Sequence, residues 1–184
     1  YSAKTARWTR GIFVMDMDGH GAKAIIADDR INALPNFGMR GVLHTSQGEG
    51  EDPQLFLSGK PFSKSPGKYR RAAQSSTGQI AVSVDTGRGS DIFLMGQDGK
   101  LGKNLTRGNG DNISPSWSPD GSQITFVSNR AGGPQIYVMN GDGSAQRRLT
   151  MAGAYNSTPD FGPDGMVVFA GMDGGHSDLF TVDM

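Results

Sequence analysis

Apolar positions along this chain fall in short alternating runs. Gln123-Ile-Thr-Phe-Val-Ser128 and Gln135-Ile-Tyr-Val-Met139 are rich in β-branched and aromatic residues, and Gly, Asn, Asp or Pro bounds each of them. Such runs predict strands, and their boundaries predict turns. Nowhere does helical spacing of apolar residues persist over a dozen positions. The pattern predicts an all-β fold.

The runs also repeat. Gly11-Ile-Phe-Val-Met-Asp-Met-Asp-Gly19, Gln54-Leu-Phe-Leu-Ser-Gly59, Asp91-Ile-Phe-Leu-Met-Gly-Gln-Asp-Gly99, Gln135-Ile-Tyr-Val-Met-Asn-Gly-Asp-Gly143 and Asp178-Leu-Phe-Thr-Val-Asp183 share one pattern. Their aromatic positions, Phe13, Phe56, Phe93, Tyr137 and Phe180, are 43, 37, 44 and 43 residues apart. A period of about 40 to 45 residues is that of four-stranded propeller blades. The clearest unit, from about Asn112 to Thr150, reads as four strands: Ser114–Ser118, Gln123–Ser128, Gln135–Met139 and Gln146–Thr150. Turns at Pro119-Asp-Gly121 and Asn140-Gly-Asp-Gly143 and a polar loop from Asn129 to Pro134 join them. Thr158-Pro-Asp-Phe-Gly-Pro-Asp-Gly165 restates Ser114 to Gly121 at an offset of 44, whereas Leu34-Pro-Asn-Phe-Gly38 keeps the Pro and the aromatic but loses the Pro-Asp-Gly turn.

The expected architecture is a β-propeller of four-stranded antiparallel blades, with about five blade repeats and incomplete terminal blades. The repeats fall at about 1–30, 31–66, 67–108, 109–152 and 153–184, within one domain. A single blade buries too little surface to stand alone, so the repeated apolar positions are expected to form the core between blades. The first unit lacks its innermost strand and the last its outermost. The ring therefore either closes by pairing its terminal strands or stays incomplete and is capped by another chain, which would give self-association.

Composition narrows the partners. The 184 residues include 28 Gly and 9 Pro, which suits many short elements and tight turns. Lys plus Arg (18) balances Asp plus Glu (18), so nothing in the net charge points to nucleic acid or an anionic membrane surface. No apolar run reaches the roughly 18 to 20 residues that span a bilayer, and the first residues carry no signal-peptide pattern. With no Cys, disulfides and thiolate chemistry are excluded.

Ser114-Pro-Ser-Trp-Ser-Pro-Asp-Gly121, Phe126-Val-Ser-Asn-Arg130, Gln135-Ile-Tyr-Val-Met139 with Asp142-Gly143, and Arg148-Leu-Thr150 resemble the blade signature of TolB and related propellers. The resemblance is strongest from Gly89 to Met184. It implies a periplasmic, non-catalytic scaffold of the Tol-Pal cell-envelope system that contacts the lipoprotein Pal through one face of the propeller. Similar blades form the substrate-gating propellers of serine peptidases such as prolyl oligopeptidase and tricorn, which keeps that reading open. A propeller fragment that self-assembles is a third.

Motifs that carry chemistry are sparse. No Gly-x-Ser-x-Gly elbow occurs, and His20, His44 and His176 lie in separate repeats, where they are expected as loop or strand residues. Asp16-Met-Asp-Gly19 and Asn140-Gly-Asp-Gly143 begin like calcium loops but lack the further ligands, and read as hairpin turns. Gly48-Glu-Gly50 and Gly87-Arg-Gly-Ser90 precede no helix that could cradle a phosphate. No catalytic residue, metal site or cofactor is expected. The basic stretch from Lys60 to Arg71 reads as a solvated connection between blades, or as a contact for an acidic partner.

Recognition is expected on the loops that join second to third strands and blade to blade, which ring the mouth of the central channel. The candidate protein-binding residues there are Arg88, Asn109, Asp111, Asn129, Arg130, Tyr155, Asn156 and His176. Asn129 and Arg130 are read first as residues that order their own loop.

Overall fold

The structure, a computed structural model, describes residues 11–108, 110–173 and 175–184, and within them every regular element is a strand. A hairpin of β1 (Ile12–Val14) and β2 (Lys23–Ile26) precedes four antiparallel sheets. Blade I holds β3 (Ile31–Gly38), β4 (Gly41–Gln47), β5 (Gln54–Leu57) and β6 (Lys60–Pro61). Blade II holds β7 (Lys68–Gln74), β8 (Ile80–Asp85), β9 (Ser90–Met95) and β10 (Leu101–Asn104). Blade III holds β11 (Asn112–Trp117), β12 (Gln123–Ser128), β13 (Gln135–Asn140) and β14 (Arg147–Arg148). Blade IV holds β15 (Tyr155–Phe161), β16 (Val167–Asp173) and β17 (His176–Val182), with no fourth strand among the described residues.

Side-chain alternation explains why the strand sequences are so continuously apolar. Successive residues of a strand point to opposite faces, and here both faces of an inner blade are covered by neighbours. In β13, Tyr137 and Met139 pack toward blade II with Ala73, Ala81 and Ile92. Ile136 and Val138 pack toward blade IV with Val167 and Phe169. A third cluster joins Leu43 and Leu55 of blade I to Tyr69, Ile80 and Val82 of blade II. Each fully buried side chain of this size stabilises by about 1.5 to 3 kcal/mol. The β1–β2 hairpin packs on blade I through Ile12, Ile26 and Val42.

The five repeated aromatics occupy β1, β5, β9, β13 and β17, the third-strand position of each unit. Tyr137 and Phe56 are buried, while Phe13 and Phe180, in the units with missing strands, are not.

Each innermost strand carries a bulge: opposite His44, Phe126 and Phe169 in blades I, III and IV, and one residue away, opposite Ser83, in blade II. A bulge bends the strand and re-aims a side chain. Leu34, Ser114 and Thr158 sit in three of these bulges with φ of 54°, 54° and 46°. A positive φ costs a non-glycine residue on the order of 1 to 3 kcal/mol, so the packing around these positions must hold it in place.

Candidate functional site

Two tying devices set the blades and shape the surface where recognition was expected. The first uses the residue that leads each third strand. In blade II, Asp91 is buried and accepts hydrogen bonds from Asn104 Nδ2 (2.9 Å), Thr106 Oγ1 (2.8 Å), the Gly108 amide (2.8 Å) and Asn112 Nδ2 (3.3 Å). Burial works to raise its pKa, but the bonds from Asn104, Gly108, Thr106 and Asn112 outweigh it and hold the carboxyl below its ordinary value. In blade III the equivalent Gln135 accepts from Thr150 Oγ1 (2.7 Å) and Asn156 Nδ2 (2.8 Å) and donates to the Gly153 carbonyl (3.0 Å). In blade I, Gln54 accepts from Ser63 Oγ (2.9 Å) and donates to the Gly67 carbonyl (2.8 Å). One side chain thus clamps each connection from blade to blade.

The second device is a guanidinium laid on the third-strand aromatic. Arg130 lies 4.9 Å from the Tyr137 ring centroid and 5.3 Å from that of Phe126. It donates to Ser128 Oγ (2.9 Å), Gln146 Oε1 (2.7 Å) and Asn112 Oδ1 (2.8 Å). Gly110 passes beneath this loop at φ +81°, where a Cβ would stand 2.6 Å from Asn129 Oδ1 and 2.9 Å from the Arg130 amide nitrogen. Only glycine meets both constraints.

Between these ties lies a cleft of about 300 Å³ that spans blades II, III and IV. Ile113 and Val127 give it an apolar floor, and Asp111, Asn129 and Tyr155 form part of its wall. Arg70, Ser114 and Thr158, residues in the bulges of blades II, III and IV, also line it. Arg70 Nη2 stands 3.7 Å from Asp85 Oδ2, an exposed pair that leaves the guanidinium at the surface. Asp111 Oδ1 accepts the Ser90 amide (2.8 Å), and its own amide donates to Asn129 Oδ1 (2.7 Å), so both residues are held rigidly.

The structure thus gathers Asp111, Asn129 and Tyr155 into one cleft. Arg88 is exposed on the loop between β8 and β9, and His176 is exposed at the start of β17, both outside the cleft lining. Arg130 and Asn156 belong to the ties, and Asn109 lies outside the described residues. Sequence reasoning missed Arg70, Ser114 and Thr158. Their signal was the innermost-strand register, together with the proline that follows Ser114 and Thr158. In the basic stretch, Lys68 pairs with Asp52 at 3.3 Å.

The turns are occupied by their own chemistry. Asp142 Oδ1 accepts the Ser144 amide (2.9 Å), as expected of a hairpin turn. Hydrogen bonds from Ser118 and Ser122 pull Asp120, in the Pro-Asp-Gly turn, down to about 2. His44 is buried on β4, its ring nitrogens make no well-formed hydrogen bond among the described residues, and burial lowers its pKa against a weaker opposing contact with the Val42 backbone.

The sequence model of the TolB beta propeller domain matches residues 60–184, more than half of the chain. The chain belongs to the TolB beta propeller family. A TolB homolog of Chlorobium luteolum is 40% identical over 57 residues, 31% of this chain and 13% of the homolog. Crystalline TolB of Acinetobacter baumannii superposes with a TM-score of 0.79 at 20% identity, over 92% of this chain and 45% of that one. This TolB-type chain therefore spans less than half the length of both relatives. The fold is shared more widely: a puromycin hydrolase aligns over 88% of this chain and 28% of its own, with a TM-score of 0.66 and 10% identity. Tricorn protease aligns over 92% of this chain and 20% of its own, with a TM-score of 0.59 and 15% identity.

Proposed function

We propose that this TolB-type propeller is a non-catalytic protein-binding module whose recognition surface is the cleft at the channel mouth. The observation that carries the reading is the convergence of Arg70, Ser114 and Thr158 with Asp111, Asn129 and Tyr155 around the Ile113–Val127 floor. A rigid polar rim, an apolar floor and exposed Tyr and Arg side chains make a protein contact of the usual composition. Membership of the TolB family supports a Pal-like lipoprotein as the partner and the periplasm as the setting. Among the described residues, no helix is long and apolar enough to cross a membrane.

Calorimetric titration with the soluble domain of a Pal-type lipoprotein tests the reading. Tyr155→Ala and Arg70→Glu are expected to weaken binding about tenfold or more with the melting temperature unchanged. Binding that neither substitution affects would remove the cleft from the account.

A second reading, completion of the blade array by another copy of the chain, is supported by blade IV. There β17 has no partner on its outer edge among the described residues, and Leu179 is 78% exposed. An uncovered strand edge is a template for pairing. Sedimentation velocity separates the readings: a concentration-independent monomer argues against assembly, and a defined oligomer supports it.

A further inference from the structure

One equivalent place in three blades holds a cross-strand aromatic pair. His44–Phe56, Phe126–Tyr137 and Phe169–Phe180 have ring centroids 5.7, 5.7 and 5.8 Å apart. In blade III the pair is covered by Arg130, whose Nε donates to Ser128 Oγ at 2.9 Å. In blade I it is covered by Arg30, 5.0 Å from the Phe56 centroid, whose Nε donates to Ser46 Oγ at 2.9 Å. Ser46 and Ser128 are equivalent, because they pair across the ladder with Asn32 and Asn112. Yet Arg30 precedes β3, whereas Arg130 follows β12. Two arginines from different points of the repeat thus cover the aromatic pair and bond the same serine, and Arg130 alone also bonds the asparagine oxygen.

Blade IV has the aromatic pair, and no cation of the described residues covers it. Gly171 stands where the serine stands elsewhere, paired with Asn156. A cavity of about 110 Å³ occupies the arginine's place, lined by Ala152, Gly153, Asn156, Phe169, Gly171 and Phe180 among others. Phe180 is 39% exposed, against 6% for the covered Tyr137.

Asn156 is 3% exposed and is the counterpart of Asn112. Its Nδ2 is used by Gln135 Oε1 and the Ala152 carbonyl. Asn112 Oδ1 accepts from Arg130, but Asn156 Oδ1 takes no donor among the described residues. A Cβ on Gly171 would lie 2.8 Å from that oxygen and 2.9 Å from the Phe180 ring, so glycine keeps the space open.

We infer that this socket binds the arginine side chain of another polypeptide, with the guanidinium over Phe180 and one N–H donated to Asn156 Oδ1. A planar cation that stacks and donates directionally fits better than the compact ammonium of lysine. The socket is separate from the channel-mouth cleft, and either can fail without the other.

NMR titration of the whole chain with acetyl-Gly-Arg-Gly-amide and with its citrulline counterpart tests the inference. Citrulline keeps the planar shape and removes the charge. The arginine peptide is expected to shift the Asn156 side-chain amide and the Phe180 ring resonances saturably, at least tenfold more tightly than citrulline. Phe180→Leu should abolish the shifts. Gly171→Ala, whose Cβ would crowd Asn156 Oδ1 and the Phe180 ring, should block the peptide. Equal binding of the two peptides, or no saturable shift at Asn156 and Phe180, would overturn the inference on the unaltered chain alone.

Discussion

The seam between blades II and III and the seam between blades III and IV follow one plan with different charges. In the first, a buried carboxylate, Asp91, gathers Asn104, Thr106, Gly108 and Asn112, and Arg130 closes the network from the other side. In the second, the neutral Gln135 gathers Thr150 and Asn156, and no described cation closes it. The repeat therefore conserves the geometry of the clamp and leaves its charge free to vary. The charged seam gains stronger bonds and depends on pH, whereas the neutral seam keeps an acceptor and an aromatic face uncovered.

Removing the clamps should show the largest contrast. Asp91→Ala strands several buried donors at once and is expected to cost about 3 kcal/mol in urea unfolding, against about 1.5 kcal/mol for Gln135→Ala. The folded pKa of Asp91 is lowered, so its contribution is present above the unfolded value of about 4 and is lost as pH falls through the folded one. Asp91→Asn should flatten that acid limb, and an unchanged limb would mean that Asp91 is not the clamp described. Arg130→Ala follows at about 2 kcal/mol, because it forfeits stacking and three hydrogen bonds.

His44 allows a change in the opposite direction. Phe126 and Phe169 occupy its equivalent place, paired with Tyr137 and Phe180 as His44 is with Phe56. His44→Phe is expected to stabilise by about 1 kcal/mol, since it removes buried ring nitrogens that make no well-formed hydrogen bond. It should also remove a pH dependence. With the folded pKa lowered, stability is full above the unfolded value of about 6.5 and declines as pH falls through the folded one. Thermal melts at pH 7 and pH 5 measure both effects. The smallest change in stability, within about 0.5 kcal/mol, is expected for Tyr155→Ala, which sits at the surface and should affect binding alone.

Strand period and turn chemistry made the blades legible in the sequence. Alternating runs closed by Asp-Gly or Pro-Asp-Gly marked the β11–β14 unit, and the spacing of Phe93, Tyr137 and Phe180 extended it to its neighbours. Asp111 and Asn129 could be placed on loops, and Tyr155 beside one, because the segments between defined strands can be counted. Arg70 was hidden because its role depends on a bulge, which shifts register without leaving a residue signature in blade II. Side-chain partners such as Gln135 with Asn156 could not be read, because they join residues of different blades whose approach is set by packing. The Arg30–Phe56 stack was hidden for the same reason: its arginine comes from another part of the repeat than Arg130 does.

Hydrogen exchange of the chain with and without the soluble domain of a Pal-type lipoprotein tests the central claim, that recognition lies on the loop face of blades II to IV. Added protection is expected in residues 86–90, 110–114, 129–134 and 152–158. The turns at the opposite ends of the same strands, residues 119–122 and 141–144, should exchange as before. Protection confined to those turns, or spread evenly over both faces, would contradict it.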